Sequence, residues 1–340
     1  MPITQRQLAK HLNLHQATVS RCFMSPQQVK PETLDRVLRV ANELGYRRNS
    51  AASAMRKQRI GAVGLLLGMS GGENFLPLGL LKNFEWQARK HDQRLMIAHV
   101  ADDRLGDPAY VPGILREMAV DALIVDYITD SADRLAELIE HYHVPSIWVN
   151  SKRPMQSVYV DDAELGARVA TRFVEAGHRR IATAVFGCRS RLGNRPHYSA
   201  WDRGVGFAEA ASAAGAACTS WYRQSPIDDP EEIALTTQWL RGDDRPTAVL
   251  ANSEKDANAI AFAAAAAGLT LGKDLELLAV GTAPVTVPGR SLDTYVVPQE
   301  ELATAVFAEL DALLREPKTA RTSIPVRFDD AVNQRPPTAR

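Results

Sequence analysis

The sequence predicts a small all-α head built on a helix-turn-helix, followed by an α/β core of two parallel-sheet lobes. Three observations predict this. Residues 4–12 and 15–23 read as two short helices joined by a break at Asn13-Leu14, the arrangement that pushes one helix end into the major groove of DNA. Charge is unevenly distributed: Met1 to Ile60 carry 11 basic and 3 acidic side chains, the remainder 29 and 37. A basic head on an acidic body is the local footprint of a polyanion partner. From Ile60 onward, apolar runs alternate with helical patterns, the signature of parallel sheets covered on both faces.

The elements of the head follow in order. Thr4 and Gln7 have capping-box spacing, so Thr4 caps the first helix. Leu8, Leu12, Leu14 and Val19 supply inward faces. A third helix begins near Pro31, where proline sacrifices no hydrogen bond. It runs through Leu34, Val37, Leu38, Ala41 and Leu44 and stops at Gly45. Arg48 to Gln58 has helix-compatible residues but almost no apolar face, and is too short to be a helix alone. It reads as a linker that folds when docked.

In the body, strands are expected at 62–67, 94–99, 122–125, 146–149, 181–186, 248–251 and 275–280. Helices are expected at 80–91, 132–141, 165–176, 203–214, 231–240 and 255–267. The array is too long for one sheet and divides near Val160–Ala163. A last helix at 300–314 and a late strand at 324–328 can join either lobe. The tail 333–340, with Pro336-Pro337, reads as flexible and carries no leucine heptads.

Composition narrows the class. At 340 residues and 45% hydrophobic content the chain can bury the cores of two or three domains. No apolar run follows Met1, which argues against a signal peptide, and no uncharged apolar stretch reaches the ~20 residues that span a bilayer. Cys22, Cys188 and Cys218 are widely spaced and form no C-x-x-C, so a reducing compartment, the cytoplasm, is expected, with no metal and no cofactor. Phosphate-binding, dinucleotide, nucleophile-elbow and zinc-protease motifs are all missing, which argues against an enzyme. Asp161-Asp162 are adjacent, but adjacency alone does not place two carboxylates in one site.

Specific residues carry a family likeness. Leu8-Ala9-x-x-Leu12-x-Leu14-x-x-Ala17-Thr18-Val19-Ser20-Arg21, then Val29-x-x-x-Thr33, then Ala41-Asn42-Glu43-Leu44-Gly45-Tyr46-x-x-Asn49, resemble the headpiece of the lactose/galactose repressor family. Val160-Asp161 with Gly166 and Ala170, Gly177-His178-Arg179-Arg180-Ile181, Arg203-x-x-Gly206-Phe207 and Pro246-Thr247-Ala248 resemble later blocks in the right order. The resemblance implies a homodimeric, ligand-responsive transcriptional repressor with a hinge helix and a periplasmic-binding-protein-like core. Its partners would be double-stranded operator DNA and a small effector between the lobes, with no membrane. It implies a head at 1–47, a hinge at 48–60, a first lobe at 61–161 with 298–320, and a second at 162–297 with 321–332. Three chain segments would cross between lobes.

Onto this pattern the DNA-facing residues are carried one by one. Gln16 and Ala17 fall where the family faces base edges; Gln16 can pair bidentately with adenine, and Ala17 can offer a methyl to thymine. Thr18, Ser20 and Arg21 reach phosphates or, for Arg21, a guanine. Thr4 is grouped with them at the start of the first helix. His15 stands where the family has a serine cap, so Asn13 or solvent replaces that bond, or His15 touches phosphate. Asn49, Ala52, Ser53, Met55 and Arg56 resemble the hinge, with Met55 as the apolar wedge for a minor-groove base step. Arg48 replaces a usual proline, and Ser53 a usual arginine.

For the effector, Arg203 matches the family's ligand-gripping arginine, and Asn150 follows a first-lobe strand. Phe75, after Asn74, resembles the first cleft loop, where it can stack on a ring or pack on the lobe. Ser253-Glu254 stands for the usual Asn-Asp, and Ala283 for a usual sugar-chelating acid. The loop with Arg189, Arg191, Arg195 and His197 adds bases. Loss of an acid and gain of bases suit an anionic effector, such as a sugar acid or phosphorylated metabolite, as the alternative to a neutral saccharide and a carbohydrate-related operon, which stay the first reading. A ligand-independent architectural DNA binder is a further alternative, but leaves two lobes without a purpose.

Overall fold

A computed structural model describes residues 3–47, 59–69, 76–126, 132–186, 197–223, 230–316 and 321–330. The chain divides into two compact units, Met1–Ile60 and Gly61–Arg340.

In the first unit, α1 (Gln5–Leu12) starts at Thr4, whose hydroxyl accepts from the Gln7 amide while the Gln7 side chain accepts from the Thr4 amide at 2.8 Å. Asn13 ends the helix in the left-handed conformation (φ 51°), its amide donating to Ala9 and Lys10 carbonyls. α2 (Gln16–Met24) follows after a turn, and α3 (Pro31–Glu43) begins on its proline. Leu8, Ala9, Leu12, Val19, Cys22, Val37 and Ala41 form the core, with Phe23 against Tyr46 at its edge. Arg36 donates to the Leu12 carbonyl at 2.9 Å and so ties α3 to the end of α1.

The second unit holds two parallel sheets. The first contains β1 (Ala62–Met69), β2 (Arg94–Ala101), β3 (Ala122–Asp126), β4 (Ser146–Val149), β5 (Ser157–Val160) and β13 (Ile324–Val326), ordered β13-β5-β4-β3-β1-β2. The second contains β6 (Arg180–Val185), β7 (Ala217–Tyr222), β8 (Ala248–Ala251), β9 (Glu276–Gly281) and β12 (Asp293–Val296), ordered β12-β9-β8-β6-β7. A small hairpin of β10 (Thr286–Val287) and β11 (Arg290–Ser291) stands apart. β3 is buried at every residue, as a strand covered on both faces must be.

Helices α4 (Leu78–Lys90), α5 (Asp102–Leu105), α6 (Gly113–Arg116), α7 (Ala132–His141) and α12 (Gln299–Arg315) accompany the first sheet. α8 (Asp162–Glu175), α9 (Tyr198–Ala213), α10 (Pro230–Arg241) and α11 (Glu254–Ala266) accompany the second. α12 returns after β12 to pack on α4 and β4, burying Leu302, Val306, Phe307 and Leu310.

Two expectations need correction. The segment 321–332 was expected on the second lobe, yet β13 pairs with β5 in the first sheet, Val326 opposite Val160. The edge of β5 offers unpaired backbone groups, and β13 satisfies them; only Arg327–Asp330 then reaches α8, where Arg168 donates to the Phe328 carbonyl and pairs with Asp330. Helix 203–214 starts earlier, at Tyr198. On α4, Leu80 and Phe84 are buried, whereas Leu78 and Trp86 are exposed.

Two glycines set the geometry of the cleft. A Cβ on Gly166 would collide with the Arg203 carbonyl, and one on Gly206 with the Ala163 carbonyl. Their absence lets the backbones of α8 and α9 touch, which carries Arg203 against Asp162. Among the described residues no helix is long and apolar enough to cross a membrane.

Candidate functional site

The head presents one face of α2. Val19 and Cys22 point into the core, so helical periodicity turns Gln16, Ala17 and Arg21 outward, with Thr18 and Ser20 half-buried beside them. The first turn of α2 contains no acid, and the Thr18 and Val19 amides donate to the His15 carbonyl, which leaves those of Gln16 and Ala17 at the open end of the helix. The helix end is therefore suited to phosphate. His15 makes no side-chain cap, and Asn13 serves the end of α1 instead; neither replaces the missing serine bond. Thr4 is committed to its capping box. The hinge residues Asn49, Ala52, Ser53, Met55 and Arg56 lie outside the described residues, as do Phe75, Arg189 and Arg191.

In the body, polar side chains converge where the C-terminal ends of β3, β4, β6 and β8 meet the starts of α8 and α9. This is where ligands bind in open α/β sheets. Arg203 is buried, and its guanidinium is engaged on several sides. Nε and Nη2 donate to Asp162 Oδ1 at 3.1 and 2.5 Å, and Nη1 donates to Asn252 Oδ1 at 2.5 Å. Burial lifts the Asp162 carboxyl, and Arg203 pulls it back. The adjacent Asp161 instead caps α8, accepting from the Glu164 amide, so the two carboxylates serve different sites.

Asp126 closes β3 and is 6% exposed. Its described hydrogen bond is a weak one: Asn150 Nδ2 donates to Oδ1 at 3.4 Å. Burial pushes this carboxyl up to about 7, with Asn150 acting against the shift. On the second lobe Asp256 is also buried, accepting from the Phe186 amide and from Ser253 Oγ; burial pushes it up to about 6.

The other expected effector residues fall differently. Ser253 is the N-cap of α11, accepting from the Asp256 amide. Glu254 is exposed and lines a groove of about 760 Å³ between α10 and α11 with Ile233, Lys255 and Phe262, a different face of α11 from buried Asp256. His197, counted among the bases, is disfavoured as a cation: burial draws its pKa below the ordinary histidine value. Asn252, Asp126 and Asp256 escaped sequence reasoning. The signal was available for Asp126, a carboxylate immediately after an apolar strand. Among the described residues no cluster of His, Cys, Asp or Glu could hold a metal ion.

Comparison with known proteins agrees with both halves. Residues 8–49 match the model for bacterial regulatory proteins of the lacI family, and residues 170–329 a periplasmic binding protein-like domain. The regulator AglR of Rhizobium meliloti is 27% identical over 82% of this chain and 78% of its own length. The regulator AscG of Escherichia coli is 22% identical over 92% of both. A Lac repressor bound to ONPG superposes with a TM-score of 0.75 at 18% identity, covering 97% of this chain and 98% of that one. A CelR–cellobiose complex gives 0.61 at 20% identity, covering 96% and 98%. The structural likenesses are of fold.

Proposed function

The chain belongs to the lacI family of bacterial regulatory proteins, sequence-specific DNA-binding regulators rather than enzymes, and from that premise we propose that it is a homodimeric, cytoplasmic repressor of carbohydrate-related genes, answering to a hydroxyl-rich effector in the interlobe cleft. Gln16 and Ala17 read base edges, Arg21 a guanine or phosphate, and His15, Thr18 and Ser20 position the backbone. The hinge set Asn49, Ala52, Ser53, Met55 and Arg56 docks in the minor groove, and Thr4 supports the head through its cap.

The observation that carries the ligand class is Asp126. A buried carboxylate with one weak donor among the described residues favours a ligand that brings hydrogen-bond donors, as sugar hydroxyls do, and when ionised repels an anion. Asp256 adds a further carboxyl, and Arg203 is already balanced by Asp162. Asn150 and a free donor of Arg203 complete the contact, with Phe75 as a stacking surface. CelR, solved with cellobiose, shows that a protein of this fold accommodates a sugar. The anionic alternative rests on Arg189 and Arg191. A thermal-shift screen of neutral sugars, sugar acids and sugar phosphates decides between them. A shift by a neutral sugar, unchanged in Arg189→Ala and Arg191→Ala, supports the proposal; a shift by anions alone, lost in those variants, overturns it.

The dimer uses the first lobe. Trp86 and Leu78 on α4, and Met96 and Ile97 on the edge strand β2, are exposed apolar side chains, and such an edge invites a second copy. A two-fold protein matches a pseudo-palindromic operator. Sedimentation at micromolar concentration should show dimers; monomers with and without operator would remove this part of the proposal.

A further inference from the structure

We propose that His197 is a positioning residue for the effector site: reaching from the second lobe, it holds Asn150 of the first lobe in the backbone conformation that turns its amide onto Asp126. The inference rests on reading the cleft as the effector site.

Asn150 has φ 55°, a left-handed conformation that residues other than glycine adopt at some cost and keep when neighbours hold them. His197 supplies the hold, its Nε2 standing 3.0 Å from the Asn150 carbonyl oxygen. A carbonyl only accepts, so the proton resides on Nε2. Nδ1 is then the acceptor, and Ser199 faces it with its hydroxyl at 2.8 Å and its amide at 3.4 Å. The partners thus select one neutral tautomer. On its other side, the same Asn150 donates through Nδ2 to Asp126. Carbonyl and side chain belong to one residue, so a rotation that releases the first re-aims the second.

Two further ties fix the approach of the first turn of α9. Lys152 Nζ pairs with Asp202 at 2.5 Å, and the Val160 amide donates to the Tyr198 hydroxyl at 3.3 Å. All three ties join the start of α9 to the stretch 150–160. The Asp126–Asn150 wall therefore has its binding shape only while the lobes are together, which makes lobe closure and assembly of the site one event.

Hydrogen exchange on the full-length protein, with no ligand added, tests this through two complementary variants. His197→Asn keeps an oxygen that can cap α9 but is too short to reach Asn150. His197→Gln keeps the reach and caps poorly. In His197→Asn, the amides of 150–157 should exchange roughly five- to tenfold faster, as loss of one hydrogen bond allows, while 198–203 stay protected. The sensitive reporters are Arg153 and Gln156, whose amides donate to Ser157 Oγ and the Arg321 carbonyl. In His197→Gln the pattern should reverse, with 150–157 protected and 198–203 loosened. A merely structural cap would loosen only 198–203, so unchanged exchange of 150–157 in His197→Asn overturns the proposal. That result would leave the sugar-effector reading untouched, and a failed sugar screen would leave the exchange result standing.

Discussion

Arg203 and Asp162 meet across the contact of α8 and α9, with Nη2 2.5 Å from Oδ1 and side chains 5% and 2% exposed. A cationic ligand grip and an internal ion pair are thus the same residue here. Removing one member leaves the other charged, buried and unpaired, a loss of ~3–5 kcal/mol.

Arg203→Ala should therefore lower unfolding stability by about that amount as well as weaken effector binding. Pairing it with Asp162→Leu should recover most of the stability but not the binding. Urea unfolding of the three variants checks this. A stable Arg203→Ala single variant would mean that the pair is dispensable.

Asp126 makes stability depend on pH with a definite sign. Its folded value, about 7, lies above the 3.8 of an ordinary aspartate. Between those values the folded chain keeps a proton that the unfolded chain has lost, so this residue's contribution falls as pH rises through the window. Asp126→Asn should gain on the wild type by ~2–4 kcal/mol between pH 4 and pH 8 in urea unfolding. His197, with its value lowered, contributes above the ordinary histidine value and loses that contribution as pH falls, which is why the comparison uses the Asp126 variant. A constant difference across the range would contradict the burial argument.

A hydroxyl that donates to Asp126 binds the carboxylate better than the acid. Affinity for a neutral sugar effector should accordingly rise as pH passes upward through about 7. Asp126→Asn should abolish that rise. Calorimetric titration at pH 6 and pH 8 measures it, and weaker binding at the higher pH would place the ligand elsewhere.

His15 leaves α2 without a side-chain cap. His15→Ser should stabilise the head by ~0.5–2 kcal/mol, the usual worth of a serine N-cap. Slower hydrogen exchange across the first turn of α2 would register it, and unchanged exchange would contradict it.

How much of this was legible in the sequence depends on how local each cause is. Thr4, Gln7, Pro31 and Gly45 announce the head because caps and starts are short-range chemistry. The apolar strands 122–125 and 248–251 announce themselves for a similar reason. β7 did not, because Ala-Cys-Thr-Ser-Trp-Tyr is a half-exposed edge strand with little apolar pattern. The sheet that β13 joins depends on which edge is left open, a fact set by the whole topology. In the cleft, Arg203 was visible, but its engagement by Asp162 and Asn252 was not, since those partners lie 41 and 49 positions away. Asp126 stands directly after an apolar run, a legible signal, but its burial depends on the packing around β3 and β4.

The most direct test of the central claim is operator affinity of the full-length dimer, followed by fluorescence anisotropy on a duplex selected from random sequence, with and without a panel of neutral sugars, sugar acids and sugar phosphates at fixed salt. The account predicts that a neutral sugar changes operator affinity at least about fivefold, the lower end of ordinary allosteric coupling, and that Asp126→Asn removes the response while leaving affinity without sugar intact. An operator affinity that moves only with anionic ligands, or with none, would contradict it.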